Sequence, residues 1–137
     1  MGTRKLFALL VTDGGKSFEN LRALLKSQGV EIWTARTGEE AARLLEQTHP
    51  ELIFTAVRYA DGTWHDMVTL AEEAEAATSV IVVGSLENVH LYIEAMDYGA
   101  FDFILPPFES EPLCHVVRVA GESVRRRREV QALRAAA

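Results

Sequence analysis

The chain has only one cysteine and lacks any long uninterrupted run of apolar residues. Cys114 therefore has no partner for an internal disulfide. No charged start leads into an apolar stretch long enough for a signal peptide, or for a membrane span of about 20 residues. From these absences we expect a cytoplasmic protein with no membrane partner.

The sequence also lacks histidines and cysteines at the spacing of metal ligands, and it has no excess of positive charge. The histidines, His49, His65, His90 and His115, are far apart and form no HxxxH or Cys/His pair, so no zinc-type site is predicted. The chain has 14 Lys and Arg against 20 Asp and Glu, a net charge of −6. With this net negative charge, we expect no overall electrostatic attraction to nucleic acid or to an anionic membrane. We expect no direct nucleic-acid partner.

What is present is the composition of an ordinary globular domain. The 137 residues are 48% apolar and 25% charged. Folding a chain of this size buries roughly two-thirds of the unfolded surface, which is enough for one core. The length therefore argues against two full domains.

Five apolar segments predict strands. Residues 6–11 form a continuous apolar run closed by Thr12-Asp13-Gly14-Gly15, which indicates a strand buried on both faces and then a turn. Residues 80–83 are the most β-branched segment. The other strands are predicted at residues 30–33, 52–55 and 101–105.

A helical pattern of apolar residues follows each strand. Ser17 is a candidate N-cap for the first helix, and Val89, Ile93 and Met96 mark the fourth. The last pattern continues past Val124 through four arginines, so residues 1–124 are predicted as the domain and 125–137 as a linker or dimerisation helix. Glu122 and Glu129 balance the arginines, which favours a solvated helix.

Five strand–helix repeats with short connections require parallel strands, right-handed crossovers and helices on both faces of the sheet. The prediction is an α/β fold with a three-layer, doubly wound, five-stranded parallel sheet. Ligands bind such sheets at the carboxyl ends of the strands. The candidate site therefore lies in the loops at residues 12–15, 56–63, 84–87 and 106–108.

Residues 95–103, AMDYGAFDF, resemble the AMxxGAxDF pattern before the last strand of response regulator receiver domains. Residues 37–41, 50–54 and 107–108 support the resemblance, which covers about residues 6–119. It implies the flavodoxin-like receiver fold and a role in bacterial two-component, or phosphorelay, signal transduction. In that family an aspartate at the end of the third strand accepts a phosphoryl group.

The family chemistry needs a carboxylate nucleophile, an acidic pair for Mg²⁺, a hydroxyl and a lysine. By the resemblance, the acceptor position is Ala56, whose methyl group cannot attack phosphorus. The other positions fall on Thr12 and Asp13 for the acidic pair, Gly84 beside Ser85 for the hydroxyl, and Pro106 for the lysine. We expect a pseudo-receiver that is not an enzyme, with weak or absent Mg²⁺ binding and no other cofactor.

A second hypothesis retains phosphoryl chemistry, with Asp13 and Asp61 forming a rearranged phosphoryl and Mg²⁺ site. Asp61 lies in the loop after the third strand, although Asp61-Gly62 is also an ordinary turn dipeptide. Asp13 has a similar alternative as a turn or cap residue. A third hypothesis, a nucleic-acid adaptor that uses the arginine helix, lacks a reading helix or aromatic platform.

Without an acceptor, regulation must come from a partner, another ligand or the level of synthesis. We expect action by protein–protein contact, with a homodimer formed through the last helices. A C-terminal effector domain or partner protein is expected beyond the alanine-rich end, which suggests a fragment. Phe103, at the family's switch-aromatic position, is expected to pack statically. By analogy with the family, the candidate dimer face is Tyr92, Ala95, Phe103, Leu113 and Val117.

Overall fold

Five parallel strands form the central sheet of the computed structural model, which describes residues 5–137. Their order in space is β2-β1-β3-β6-β7, which confirms the predicted doubly wound fold. A small hairpin, β4 with β5, lies in the loop after β3. The strands are β1 (Phe7–Val11), β2 (Glu31–Ala35), β3 (Leu52–Ala56), β4 (Arg58–Tyr59), β5 (Gly62–Thr63), β6 (Ser79–Val83) and β7 (Asp102–Ile104).

Five α-helices cover the two faces of the sheet, and a 3-10 helix at Leu86–Leu91 precedes the fourth. Within the part of the chain that the structure describes, no helix is both long and apolar enough to cross a membrane. The helices are α1 (Lys16–Ser27), α2 (Gly38–Thr48), α3 (Trp64–Glu73), α4 (Tyr92–Tyr98) and α5 (Ser110–Ala136).

The core consists of two apolar layers separated by the sheet. Alternate residues of a strand point to opposite faces, so Leu9 joins the layer under α2, α3 and α4, whereas Leu10 joins the layer under α1 and α5. All five residues of β3 are buried, as expected for the central strand of a sheet covered on both faces. This packing fixes the carboxyl ends of the strands along one edge.

The helix predicted after the fourth strand differs from expectation. Val89 lies in the 3-10 turns before α4, and Ile93 and Met96 lie on the side of α4 that faces away from the core. These three side chains are exposed, and Ala95 makes the core contact of α4. Ser17 is not a cap, because α1 begins at Lys16 with Gly15 as its N-cap.

Helix α5 is long and lies against the amino edge of the sheet. The guanidinium of Arg128 donates hydrogen bonds to the main-chain oxygens of His49, Pro50 and Ala77, over 2.8 to 3.1 Å. It also lies 3.7 Å from the Glu51 carboxylate. These oxygens belong to the segments that lead into β3 and β6 and have no partner in the sheet ladder.

Arg127 is docked in the same way, donating to the Thr78 main-chain oxygen at 3.3 Å and to the Ser79 hydroxyl. The prediction that the arginine run is a solvated face is therefore wrong for Arg127 and Arg128. It holds for Arg125 and Arg126, which make no hydrogen bond or ion pair with any other residue of 5–137. Docking continues to Gln131, which accepts from the Ala77 N–H at 3.1 Å.

Candidate functional site

The carboxyl ends of the strands bring the predicted pocket positions to one edge of the sheet. Ala56 is the last residue of β3 and pairs in register with Val83 of β6. It is 2% exposed and belongs to the apolar layer that contains Ile81. The predicted acceptor position is thus a buried methyl group within the packed core.

Next to it, the end of β1 forms a tight turn. The Thr12 hydroxyl oxygen accepts the Gly14 N–H at 2.9 Å, and Asp13 Oδ1 accepts the Gly15 N–H at 2.8 Å. Gly14 has a φ of +87°, a conformation that side chains disfavour. The turn role of Asp13, one of its two alternatives, is therefore observed.

Asp61 lies in the hairpin after β3, and its side chain contacts the first residue of α2. Its Oδ1 accepts the N–H of Gly38, the first residue of α2, at 2.7 Å. A carboxylate at a helix N-terminus is favoured by the helix dipole. The structure gives Asp61 and Asp13 separate main-chain partners.

The residues of this edge do not fit Mg²⁺. The ion takes oxygen ligands in near-octahedral geometry, usually with one or two carboxylates. Asp13 is the only carboxylate among the predicted pocket positions, and one of its oxygens accepts a backbone N–H. Among residues 5–137, no group of three or more His, Cys, Asp or Glu side chains lies close enough to hold a metal ion.

Tyr59, to which no sequence motif points, lies beneath the hairpin. Its side chain is 6% exposed, and its hydroxyl has no hydrogen-bond partner among the described residues. Burial first, and then the charges of Asp66 and Asp61, raise the pKa of Tyr59 to about 12. No local pattern signals this, because the burial comes from the packing of the hairpin against α2 and α3.

Gly84 and Phe103 meet where the family carries its hydroxyl and its aromatic residue. A Cβ atom on Gly84 would lie 2.6 Å from Phe103 Cζ and 3.1 Å from Cε1. Real Cβ atoms essentially never come this close, so the buried ring position requires glycine at residue 84. The static packing role predicted for Phe103 agrees with this geometry.

Ser85 and Pro106 complete this edge. The Ser85 hydroxyl donates to Asn88 Oδ1 at 3.0 Å, and the same oxygen accepts the Ser85 N–H at 3.1 Å. Ser85 is the N-cap residue of the 3-10 helix and forms a capping box with Asn88. Pro106 follows β7 at the predicted lysine position and carries no charge and no N–H.

The candidate dimer face needs correction. Ala95, Phe103, Leu113 and Val117 are at most 7% exposed, because α4, β7 and α5 use these residues for the domain's own core. They cannot contact a second subunit in this conformation. Only Tyr92 of the five is exposed. The neighbouring exposed apolar side chains are those of Leu86, Val89, Ile93 and Met96.

The model of the response regulator receiver domain family matches residues 8–118. The chain belongs to this family. It is a receiver domain, the signalling module of a two-component response regulator.

Two curated relatives are 26% and 29% identical to this chain over the aligned residues. The regulatory protein AtoC of Escherichia coli is 26% identical over 84% of the chain and 26% of AtoC. The response regulator protein PilR of Pseudomonas aeruginosa is 29% identical over 82% of the chain and 25% of PilR. The chain thus spans about a quarter of the length of these relatives.

Solved structures show the same fold. The signal receiver domain of a Luxo repressor protein from Vibrio parahaemolyticus has a TM-score of 0.79 and 23% identity, and the match covers 93% of this chain and 98% of that one. NtrX from Brucella abortus, crystallised with ADP, has a TM-score of 0.82 and 22% identity, with 95% of this chain and 30% of that chain covered.

Proposed function

We propose that this receiver domain is a pseudo-receiver, which signals by protein–protein contact and is not phosphorylated at the acceptor position. The observation that carries the proposal is the buried methyl group of Ala56 at the end of β3. Phosphoryl transfer to a protein side chain needs a nucleophilic atom. A methyl group has none, so this position is no phosphoryl acceptor and the domain is not an enzyme.

The neighbouring positions support the same proposal. A lysine at residue 106 would need the charge of an acceptor carboxylate as its partner, since an unpaired buried charge is costly. With alanine at residue 56 and proline at residue 106, both the carboxylate and the lysine are absent, so no charge is left without a partner. The Phe103 ring fills the space that a hydroxyl side chain at residue 84 would need. In this proposal Mg²⁺ binds weakly or not at all, and no other cofactor is used.

Regulation of such a domain needs an input other than phosphorylation. A conformational equilibrium shifts only when something binds one state better than the other. AtoC and PilR are each more than three times as long as this chain. We therefore propose that the domain acts in the bacterial cytoplasm, next to a C-terminal effector domain or a partner protein.

Intact mass spectrometry after incubation with acetyl phosphate and Mg²⁺ tests the proposal. The wild-type chain is expected to gain no phosphoryl group. The positive control carries Thr12→Asp, Ala56→Asp and Pro106→Lys, which return the carboxylates and the lysine and leave Gly84, which the Phe103 ring requires, unchanged. A wild-type adduct that disappears in Asp61→Asn contradicts the proposal and supports the rearranged site of Asp13 and Asp61.

The homodimer remains a proposal, now with a different contact surface. Ile93, 71% exposed, lies among the apolar residues at the start of α4, and exposed apolar clusters often mark interaction sites. Sedimentation velocity over a range of concentrations is expected to show a dimer that Ile93→Ser weakens. A monomer at every concentration, with and without residues beyond Val124, excludes the homodimer.

A further inference from the structure

The four consecutive arginines of α5 face two different grooves. Arg125 and Arg128 line one groove together with Glu122 and Glu129, so positive and negative charges alternate there. Arg126 and Arg127 line the other. The two carboxylates that balance the arginine run in the sequence are thus both on the first side.

The second groove, called the arginine groove below, is a cavity of about 690 Å³ between α5, the end of α3 and the segment that leads into β6. Pockets for small molecules usually enclose roughly 300–1,000 Å³. On the side of α5 it is lined by Arg126, Arg127, Val130, Gln131 and Arg134. Ala71, Ala100 and Phe101 supply apolar surface opposite, and Thr78 and Ser79 supply hydroxyl groups.

The charge of the arginine groove is unbalanced. The guanidinium groups of Arg126 and Arg134 make no hydrogen bond or ion pair with other residues of 5–137. Glu72, on α3, is the only carboxylate that lines the groove within the described part of the chain. Three guanidinium groups therefore face one carboxylate, in a chain whose net charge is −6.

Arg127 differs from the other two because it is anchored to the protein. It holds the Thr78 main-chain oxygen and the Ser79 hydroxyl at the bottom of the groove. Burial, and then the charge of Arg128, lower the pKa of Arg127. An anion in the groove would offset both effects, because it supplies the opposite charge that this guanidinium lacks.

We propose that the arginine groove binds a small phosphorylated ligand of the nucleoside di- or triphosphate class. Guanidinium groups bind phosphate oxygens in pairs of parallel hydrogen bonds. Arg126 and Arg134 are eight residues apart, about 12 Å along the helix axis. This spacing suits a chain of phosphates better than a single phosphate ion. The apolar side chains of Val130 and Phe101 provide the surface for a flat ring.

Such a site goes beyond the proposed function and does not rest on it. It would give the domain a ligand input at the amino edge of the sheet, far from the loops in which the family carries out phosphoryl chemistry. Nucleic acid is the other phosphate source. Its binding would depend on Arg125 as much as on Arg126, because a duplex contacts phosphates along a whole basic helix without selecting one groove.

The test is an amide NMR titration of the full chain with ADP, and separately with inorganic pyrophosphate, at constant ionic strength and without Mg²⁺. ADP is expected to shift the amides of residues 77–80 and 99–101, which border the groove. Arg126→Ala and Arg134→Ala are each expected to weaken ADP binding about tenfold, the loss of one charge-assisted contact. Glu72→Gln is expected to tighten it.

Arg125→Ala is the matched control, since it removes the same charge from the adjacent residue of the same helix. It is expected to change ADP affinity less than about threefold. Arg126 makes no contact that supports the fold, so the thermal midpoint of Arg126→Ala should equal that of the wild type.

Three outcomes overturn the proposal. The first is the absence of groove shifts at millimolar ADP. The second is equal loss of affinity in Arg125→Ala and Arg126→Ala, or tighter binding of a short DNA duplex that needs Arg125, which indicates a nucleic-acid surface. The third is equal affinity for pyrophosphate and ADP, which removes the role of the ring.

Discussion

The carboxyl and amino edges of the central sheet use polar side chains in opposite ways. At the carboxyl edge, the oxygens of Thr12 and Asp13 close a turn, and Asp61 caps a helix. At the amino edge, Arg127 and Arg128 cross from α5 to the loops before β3 and β6. The carboxyl-edge oxygens thus hold a turn and a helix N-terminus, whereas the contacts of Arg127 and Arg128 at the amino edge join residues at least 48 positions apart. A shared fold does not by itself fix where the polar contacts lie.

The contrast between the two edges predicts the largest effect for the removal of Arg128. Arg128→Ala leaves the oxygens of His49, Pro50 and Ala77 without their donor and Glu51 without its ion pair. We expect the free energy of unfolding, from urea denaturation, to fall by about 2 kcal/mol. Arg125→Ala, which removes a solvated arginine, should change it by less than about 0.5 kcal/mol. Equal effects of the two substitutions contradict the docking of α5.

The packing of Phe103 at the carboxyl edge is tested by adding one carbon atom at residue 84. Gly84→Ala places a Cβ against the Phe103 ring, which must shift or leave its buried position. We expect a loss of about 1–3 kcal/mol in the free energy of unfolding. Gly38→Ala is the control, because its Cβ would meet neighbours only at ordinary contact distance, 3.5 Å or more.

A double variant identifies the cause of that loss. Phe103→Leu shortens the side chain that Gly84→Ala strikes, so the two substitutions together should cost less than the sum of their separate effects. Strict additivity would mean that Phe103 does not fill the space above Gly84.

The smallest expected effect concerns Tyr59 and depends on pH. Its pKa in the folded chain is raised from 10.0 to about 12. The unfolded chain therefore loses this proton first, and the free energy of unfolding falls as the pH rises from about 10 to about 12. Tyr59→Phe should flatten the fall in this window, when unfolding is followed by denaturant at each pH.

At neutral pH, Tyr59→Phe should be neutral or stabilise by about 1 kcal/mol, because it removes a buried hydroxyl without a partner. Tyr98→Phe is the control, since that hydroxyl is exposed and lies 3.3 Å from the Thr69 hydroxyl. A clear loss of stability in Tyr59→Phe at neutral pH would show that the hydroxyl has a partner.

The strands and the pocket positions were predictable for a physical reason. Buried parallel strands such as β6 need continuous apolar sequence, and the strand order then determines which loops meet at the carboxyl edge. The contacts of Arg127 and Arg128 were not predictable. A run of arginines on a helix has the same pattern whether its guanidinium groups meet water or the carbonyl oxygens of loops some 50 residues away.

The candidate dimer face was taken by analogy with the family, and local spacing could not show that four of its five residues are buried. Leu113 and Val117 are apolar and four residues apart, a spacing that serves a core and an interface equally well. Only the packing of α5 on the sheet decides between the two uses, and it places both side chains in the core. Burial that depends on a distant element leaves no trace in local spacing.

The proposed loss of phosphoryl binding is tested most directly by the amide NMR spectrum of the domain before and after addition of Mg²⁺ with beryllofluoride, a mimic of the phosphoryl group. We expect an unchanged spectrum, because Ala56 stands at the acceptor position and one oxygen each of Asp13 and Asp61 already accepts a main-chain N–H. Shifts that cluster around Asp13, Asp61 and Ser85, and that vanish in Asp61→Asn, would contradict it. Those shifts would show that Asp13 and Asp61 form a rearranged phosphoryl site.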